Sequence, residues 1–575
     1  MISKYIFKIN GIFTKQQKKQ LIFFVFLSLF SMLLETLGIG LIIPFLNILT
    51  KDILEIQQYK IFNYFSIQSF SKADLIFFGI AILSTVYFFK ALFLTYISHK
   101  EVNFIAKIRI EISESLYAKY LQKPYQYFLN NNSAHLIRNI NDITVFLSLL
   151  KSLLMLVSES VILLGVCALL IIYEPQASIL TMLILAILGF SFQKTIQKKT
   201  KKWGNERRRA DAFRLMNMKE GFGAIKDIKI LGRENFFIQN FSDSNMVSAR
   251  TQQKQDFFVS LPRFWLEFIA IIGFSSLTLF LIDENGVALI STLGLFAVAT
   301  FRLLPSVTRL MNSFQNVQYS AVVLDSMFEE LNNQQSNYDF KKNKLDIQEK
   351  IKFHQKIELK NICFKYNETN KYILNDINFV VNKGSSVGIM GSSGVGKTTL
   401  INIILGLLTP NKGGFLVDGN VIKSSLIQDW QKNIGYVPQS IFLTDDTLRK
   451  NIAFGLPDHF MNDEKIKKSI KGARLENFIK SIDQGLDTKV GELGTRLSGG
   501  QIQRIGIARA LYNDPDVIIL DEFTSSLDSN TENEIIEEIN RFKEQKTIIM
   551  ISHKHSTLAK CDNIYELSQE GIIKI

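Results

Sequence analysis

At 575 residues the chain is too long for one ordinary hydrophobic core, so more than one domain is expected. Hydrophobic residues make up 47% of it and Phe occurs 46 times, yet the long apolar runs all precede residue 335, and the remainder has the mixed composition of a soluble α/β protein. The formal net charge is +13, but the basic clusters flank apolar runs, as in KTIQKKTKKWGNERRR (194–209), which points to membrane orientation and away from nucleic acid.

The first twenty residues, MISKYIFKINGIFTKQQKKQ, lack a compact apolar core followed by a small-residue cleavage site. They read as a short amphipathic cytosolic segment. A bilayer core needs ~20 apolar residues per helix. Six stretches qualify within a transmembrane domain assigned to residues 1–335: 21–49, 75–97, 143–173, 177–196, 257–282 and 287–309. The loops after the second and fourth are long and rich in Lys and Arg, whereas YEPQ (173–176) and DENG (283–286) contain neither. The positive-inside rule then makes the N-terminus, the long loops and the C-terminus cytosolic. In the outer segment 50–74, Leu54, Ile61, Phe62 and Phe65 share one helical face, interrupted by Gln57 and Gln58. That segment reads either as an amphipathic helix on the outer membrane surface or as a short helix capping the spans.

Charges inside the spans carry a cost of ~2.5–3.5 kcal/mol or more, so they call for a use. Lys90 and Arg302 each lie fifteen residues into a span that runs outside to inside, ~22 Å below the outer face at 1.5 Å per residue. Arg263, near the inner start of the fifth span, falls at a similar depth. The three form a candidate site for an anion. The alternatives are pairing of Arg263 with Glu267 four residues on, and snorkelling of Lys90 to the inner headgroups. Arg309 is expected beyond the membrane. Glu35 and Glu159, also within spans, are expected to bond between helices.

A polar linker, 336–356, leads to a second domain, 357–575. There GSSGVGKT (391–398) fits G-x-x-x-x-G-K-[ST] between a strand and a helix. Backbone amides of Gly391, Ser392, Ser393, Gly394, Val395 and Gly396 wrap phosphates, Lys397 supplies charge, and Thr398 offers a hydroxyl to Mg²⁺, with Thr399 next in line. VIILDE (517–522) is an apolar strand ending in two acids: Asp521 is placed to hold Mg²⁺ and Glu522 to polarise a water. LSGGQ (497–501) is a second glycine turn at a helix start, hence a second anion cradle formed by Ser498, Gly499, Gly500 and Gln501. One nucleotide does not need two cradles, so the second is expected to close on ATP held by another copy. The cysteines, Cys167, Cys363 and Cys561, have no metal spacing and no disulfide framework.

The set GSSGVGKT, LSGGQ, VIILDE and a downstream histidine resembles ABC transporters over the whole chain. The resemblance implies a six-span α-helical exporter domain fused to an α/β P-loop ATPase. It implies ATP and Mg²⁺ as ligands and further roles: Tyr366 stacking on adenine, Gln439 at Mg²⁺, Asp528 in the D-loop and His553 at the γ-phosphate. Leu493 stands where a basic residue is common, and Ser526 where Ala is common. One membrane domain and one ATPase domain per chain imply a homodimer in the cell inner membrane. KPYQYFLNNNSAHLIRNI (123–140) and GAIKDIKILGRENFF (223–237) resemble coupling segments that dock on ATPase domains. LLETLGIGLIIPFL (33–46), LPRFWLE (261–267) and FRLLPS (301–306) resemble the PglK family of bacterial lipid-linked oligosaccharide flippases, whose cargo is an undecaprenyl-pyrophosphate glycan. A lipid A or multidrug exporter fits the same architecture. An ATP-gated channel or non-transporting regulator is the alternative of another class, and six spans argue against a DNA-repair ATPase.

Overall fold

The computed structural model describes residues 2–50, 71–173, 175–280, 286–332, 350–366, 371–491, 494–524, 529–543 and 545–575. The chain divides into two compact units, one comprising Met1–Lys123 and Phe128–Tyr338, the other Pro124–Tyr127 and Asp339–Ile575.

The first unit is helical. The described parts of all six apolar stretches fall on helices: Lys15–Gly40 continued by Ile42–Thr50, then Lys72–Leu121, Ser133–Tyr173, Pro175–Gly223, Glu234–Phe280 and Gly286–Ser320. They are called here the first to sixth span helices. Among the described residues, four are long and apolar enough by composition to cross a membrane: Lys15–Leu46, Lys72–Leu121, Ser133–Tyr173 and Glu234–Ser275. Capping boxes start the first two. Thr14 accepts from Gln17 N and Ser71 from Asp74 N, while the Gln17 and Asp74 side chains accept from the cap N–H groups. The second helix has 50 residues, or ~75 Å, against a hydrocarbon core of ~30 Å, so much of it lies outside the bilayer. Leu116 is fully buried and Phe104, Ile108 and Ile112 nearly so, at the i, i+4 spacing of a packed helix face beyond the apolar stretch. Ile39, Ile162, Val166, Leu170 and Ala299 join the first, third and sixth helices in one apolar cluster. The short helix Ile2–Ile12 buries Tyr5 and Ile9, and the helix Leu324–Asn332 follows the sixth span. The outer segment between residues 51 and 70, and most of the linker, lie outside the described residues.

The second unit is α/β. Its strands are β1 (Lys356–Phe364), β2 (Leu374–Asn382), β3 (Ser386–Met390), β4 (Lys412–Val417), β5 (Asn420–Val421), β6 (Ile434–Val437), β7 (Val517–Asp521), β8 (Thr547–Ile551), β9 (Asn563–Leu567) and β10 (Ile572–Lys574). They form a four-stranded sheet ordered β2-β1-β4-β5, antiparallel throughout, and a six-stranded sheet ordered β10-β9-β3-β8-β7-β6. In the second sheet β9, β3, β8, β7 and β6 run parallel. Every residue of β7 and β8 is buried, as continuous apolar runs in a two-sided parallel sheet require. β2 alternates instead, with Leu374, Ile377, Phe379 and Val381 inward. Trp430 is fully buried and its indole N–H donates to Ile404 O at 2.8 Å, so its one polar atom is satisfied.

Candidate functional site: a phosphate cradle and a membrane charge cluster

Parallel strands deliver the residues that follow them to a common edge, the carboxyl end of the sheet. In spatial order β3 ends at the P-loop, β8 just before His553, β7 at Asp521 and Glu522, and β6 just before Gln439. Sequence positions far apart therefore converge. Gln439 Nε2 donates to Glu522 Oε2 at 2.6 Å, and His553 Nε2 lies 2.8 Å from Glu522 Oε1. Lys397 Nζ is 3.3 Å from the same His553 nitrogen and donates to Gly391 O at 2.9 Å and Ser392 O at 3.0 Å. Lys397, Glu522, His553 and Gln439 make one connected network.

The backbone is shaped for this. Gly391 has φ 153° and a Cβ there would lie 2.5 Å from Leu567 O, so no side chain fits. Gly394 and Gly396 also have positive φ, and the helix Lys397–Ile404 starts directly after the loop. Thr398 is exposed, leaving its hydroxyl free for a ligand, while Thr399 turns inward and meets the Tyr366 hydroxyl at 3.3 Å. Tyr366 is half-buried, with its ring edge-on to Phe364 at 5.0 Å.

Glu522 has φ 44°, an uncommon conformation for a residue with a Cβ. Its N–H donates to Ile551 O at 3.0 Å, which pins that geometry to β8. Burial, and then the neighbouring Glu522 carboxylate, push the Asp521 carboxyl above its ordinary range. The Lys397 ammonium is lowered by burial, against the opposing pull of Glu522 and Asp521. One contributor escaped sequence reasoning. The Tyr436 hydroxyl donates to Asp521 Oδ2 at 3.4 Å, and burial, then that carboxylate, raise its pKa. Its signal was available: Tyr436 precedes Val437, Pro438 and Gln439 on the strand beside β7.

The signature turn sits at the N-terminus of the helix Gly499–Leu511. Ser498 Oγ accepts from Gln501 N at 3.3 Å and Gln501 Oε1 accepts from Ser498 N at 2.8 Å, a capping box that fixes the turn. Ser498 and Gly499 are exposed. Asp528 and Leu493 lie outside the described residues.

In the membrane unit the three candidate cations do not gather in one place. Glu35 lies between two of them: Lys90 Nζ is 2.7 Å from one carboxylate oxygen and Arg302 Nη2 is 2.8 Å from the other. Arg263 pairs instead with Glu267 of its own helix at 2.9 Å and its side chain is 70% exposed, so it stands apart from the cluster. The i, i+4 spacing brings that pair together locally, while the Glu35 cluster needs three helices. Arg309, expected beyond the membrane, meets Glu159 of the third span helix at 2.6 Å, because a buried carboxylate draws the nearest cation. Both intramembrane glutamates bond between helices, as expected.

Residues 374–525 match the ABC transporter family and residues 21–300 the ABC transporter transmembrane region. The chain is similar to the putative multidrug export ATP-binding/permease protein YgaD of Bacillus subtilis, 34% identical over 291 residues, 51% of this chain and 49% of that protein. The similarity thus spans about half the length of that relative. The ATP-dependent lipid A-core flippase of Pseudomonas aeruginosa is 26% identical over 480 residues, 82% of this chain and 78% of that protein. A solved bacterial Atm1-family ABC exporter with ATP bound has the same fold, with a TM-score of 0.78 at 20% identity, covering 97% of this chain and 95% of that one. Two ABC transporter matches, to the transmembrane region and to the ATPase, between them take in most of the chain, whose fold is an exporter-type helical domain fused to an ABC ATPase domain.

Proposed function

We propose that the chain is one half of a homodimeric, ATP-driven exporter that moves an amphipathic anion from the inner to the outer leaflet of the cell membrane. Its finer reading is a lipid-linked oligosaccharide carried on a pyrophosphate. The observation that carries the ATPase reading is the Glu522 carboxylate, 2.6 Å from Gln439 and 2.8 Å from His553 at the mouth of the P-loop.

The residues fit ATP and Mg²⁺. Positive-φ glycines open the loop, Lys397 lies at its base, and Tyr366 offers a ring beside the following helix. Thr398, Asp521 and Gln439 are the residues to hold Mg²⁺, which when bound supplies charge neutralisation at the phosphate oxygens. Glu522 accepts the proton of the attacking water. His553 holds Glu522 in place and faces Lys397, so it reports on the terminal phosphate. Ser498 and Gly499 are exposed at a helix N-terminus, where they are suited to close on nucleotide bound to the partner copy. Binding to the closed pair is the differential affinity that drives outward opening. Residues 123–140 and 223–237 are assigned as the coupling segments, on their resemblance to those of exporters. Asp528 is assigned to the D-loop.

The cargo reading rests on charge. Lys90 and Arg302 share a single carboxylate, which leaves one positive charge in excess at that cluster. Glu35, Glu159 and Glu267 each already pair with a cation, which disfavours a cationic drug. The relative named as a lipid A-core flippase supports a lipid cargo, and lipid A is the second reading. Proteoliposomes separate them. A polyprenyl pyrophosphate glycan should stimulate ATP turnover and be flipped. If only lipid A does so, the oligosaccharide reading falls.

A further inference from the structure

The Glu35 cluster has an internal logic. Glu35 is the deepest member, with its side chain 3% exposed, against 13% for Lys90 and 23% for Arg302. Each carboxylate oxygen is taken by one cation. The donors are not exhausted. An ammonium has three N–H groups and a guanidinium five. Arg302 Nε is buried with no hydrogen-bond partner among the described residues. The Tyr87 ring lies 4.6 Å from Lys90 Nζ and fixes the ammonium from the side. The first, second and sixth span helices therefore meet on a group with surplus positive charge and surplus donors.

We propose that Glu35 is a built-in counter-anion that sets the charge specificity of this site, standing in for a phosphate when no cargo is bound and yielding the cations when one is. The inference rests on the reading of Lys90 and Arg302 as holders of an anionic headgroup. With Glu35 in place the unloaded site carries one excess charge rather than two, which lowers the cost of cycling it through the bilayer. A phosphate arriving from the more exposed Arg302 side offers several acceptor oxygens to a guanidinium fork. It competes with Glu35 for both cations, so binding weakens and release becomes faster. Glu35 is a specificity-determining residue in this scheme and takes no part in ATP hydrolysis.

The test uses the full-length dimer in proteoliposomes, with farnesyl pyrophosphate as probe and farnesol as neutral control. The readout is stimulated ATP turnover divided by the unstimulated turnover of the same variant. Glu35→Gln is expected to lower the half-stimulating concentration of farnesyl pyrophosphate about tenfold, with a reduced maximum and no shift for farnesol. Arg302→Gln is expected to raise it at least tenfold. The double variant Glu35→Gln/Arg302→Gln restores the wild-type charge balance and is expected to recover the preference for pyrophosphate over farnesol that Arg302→Gln alone loses. A double variant that behaves like Arg302→Gln, or a Glu35→Gln protein with an unshifted midpoint, overturns the counter-anion while leaving the anion site standing. An Arg302→Gln protein with unchanged stimulation removes the anion site and the inference together.

Discussion

At the scale of single residues, Glu522 is the proposed general base, and its left-handed backbone (φ 44°) costs of order 1–3 kcal/mol that β8 holds in place through the bond to Ile551. Glu522→Gln should cut phosphate release by ~10²–10⁴ while nucleotide still binds, because the amide keeps the shape and loses the base. Phosphate-release and equilibrium nucleotide-binding assays read the two separately. Asp521 makes a second prediction. Its folded-state pKa lies above the unfolded value, chiefly from burial and then from Glu522, so its ionised form penalises the fold at neutral pH. The penalty fades as pH falls through the raised folded pKa. Asp521→Asn should therefore raise the nucleotide-free melting temperature of the ATPase transition at pH 7 by ~2–4 °C per kcal/mol relieved, with the gain shrinking in acid. It should also lose Mg²⁺-dependent nucleotide binding. These residues were legible in sequence because phosphate chemistry demands fixed residue types at fixed spacing. The Arg263–Glu267 pair was legible because residues four apart meet on one face of a helix. The sharing of Glu35 by Lys90 and Arg302 was not, since positions 35, 90 and 302 meet only through the packing of three helices.

At the scale of elements, ion pairs and caps hold the helices in register. Glu159 is 8% exposed and accepts from Arg309 of the sixth helix at 2.6 Å and 3.3 Å. Removing one partner leaves a charge uncompensated. Glu159→Ala should destabilise the membrane unit by on the order of 3 kcal/mol, at the low end of the range for buried pairs because Arg309 is a third exposed. Replacing both with Leu and Met should recover most of that, as read by thermal unfolding in detergent. Ser498→Ala should cost about 1 kcal/mol through its helix cap, apart from any effect on nucleotide closure. The six apolar stretches announced the span helices, and the capping sequences at Thr14 and Ser71 announced two of their starts. Their inner ends were not legible. Between residue 97 and Leu121 no Gly or Pro interrupts the helix, so the change from apolar to charged residues after 97 marks no helix end.

At the scale of the molecule, each chain supplies one P-loop and one signature turn. The polar contacts of Ser498 and Gln501 are those of their own capping box, and Ser498 and Gly499 are exposed. Among the described residues, the side-chain contacts of Ser498 and Gln501 stay within that capping box, an arrangement compatible with the proposed closure on nucleotide held by a partner copy. The most direct test places Ser393→Cys on one copy and Ser498→Cys on another, in a background of Glu522→Gln with Cys167, Cys363 and Cys561 replaced by Ser, and mixes the two before ATP and oxidant are added. A covalent dimer that appears only in the mixture and only with ATP is the predicted result. A doubly substituted chain that cross-links within itself, with no dimer from the mixture, would contradict the sharing of ATP between two copies.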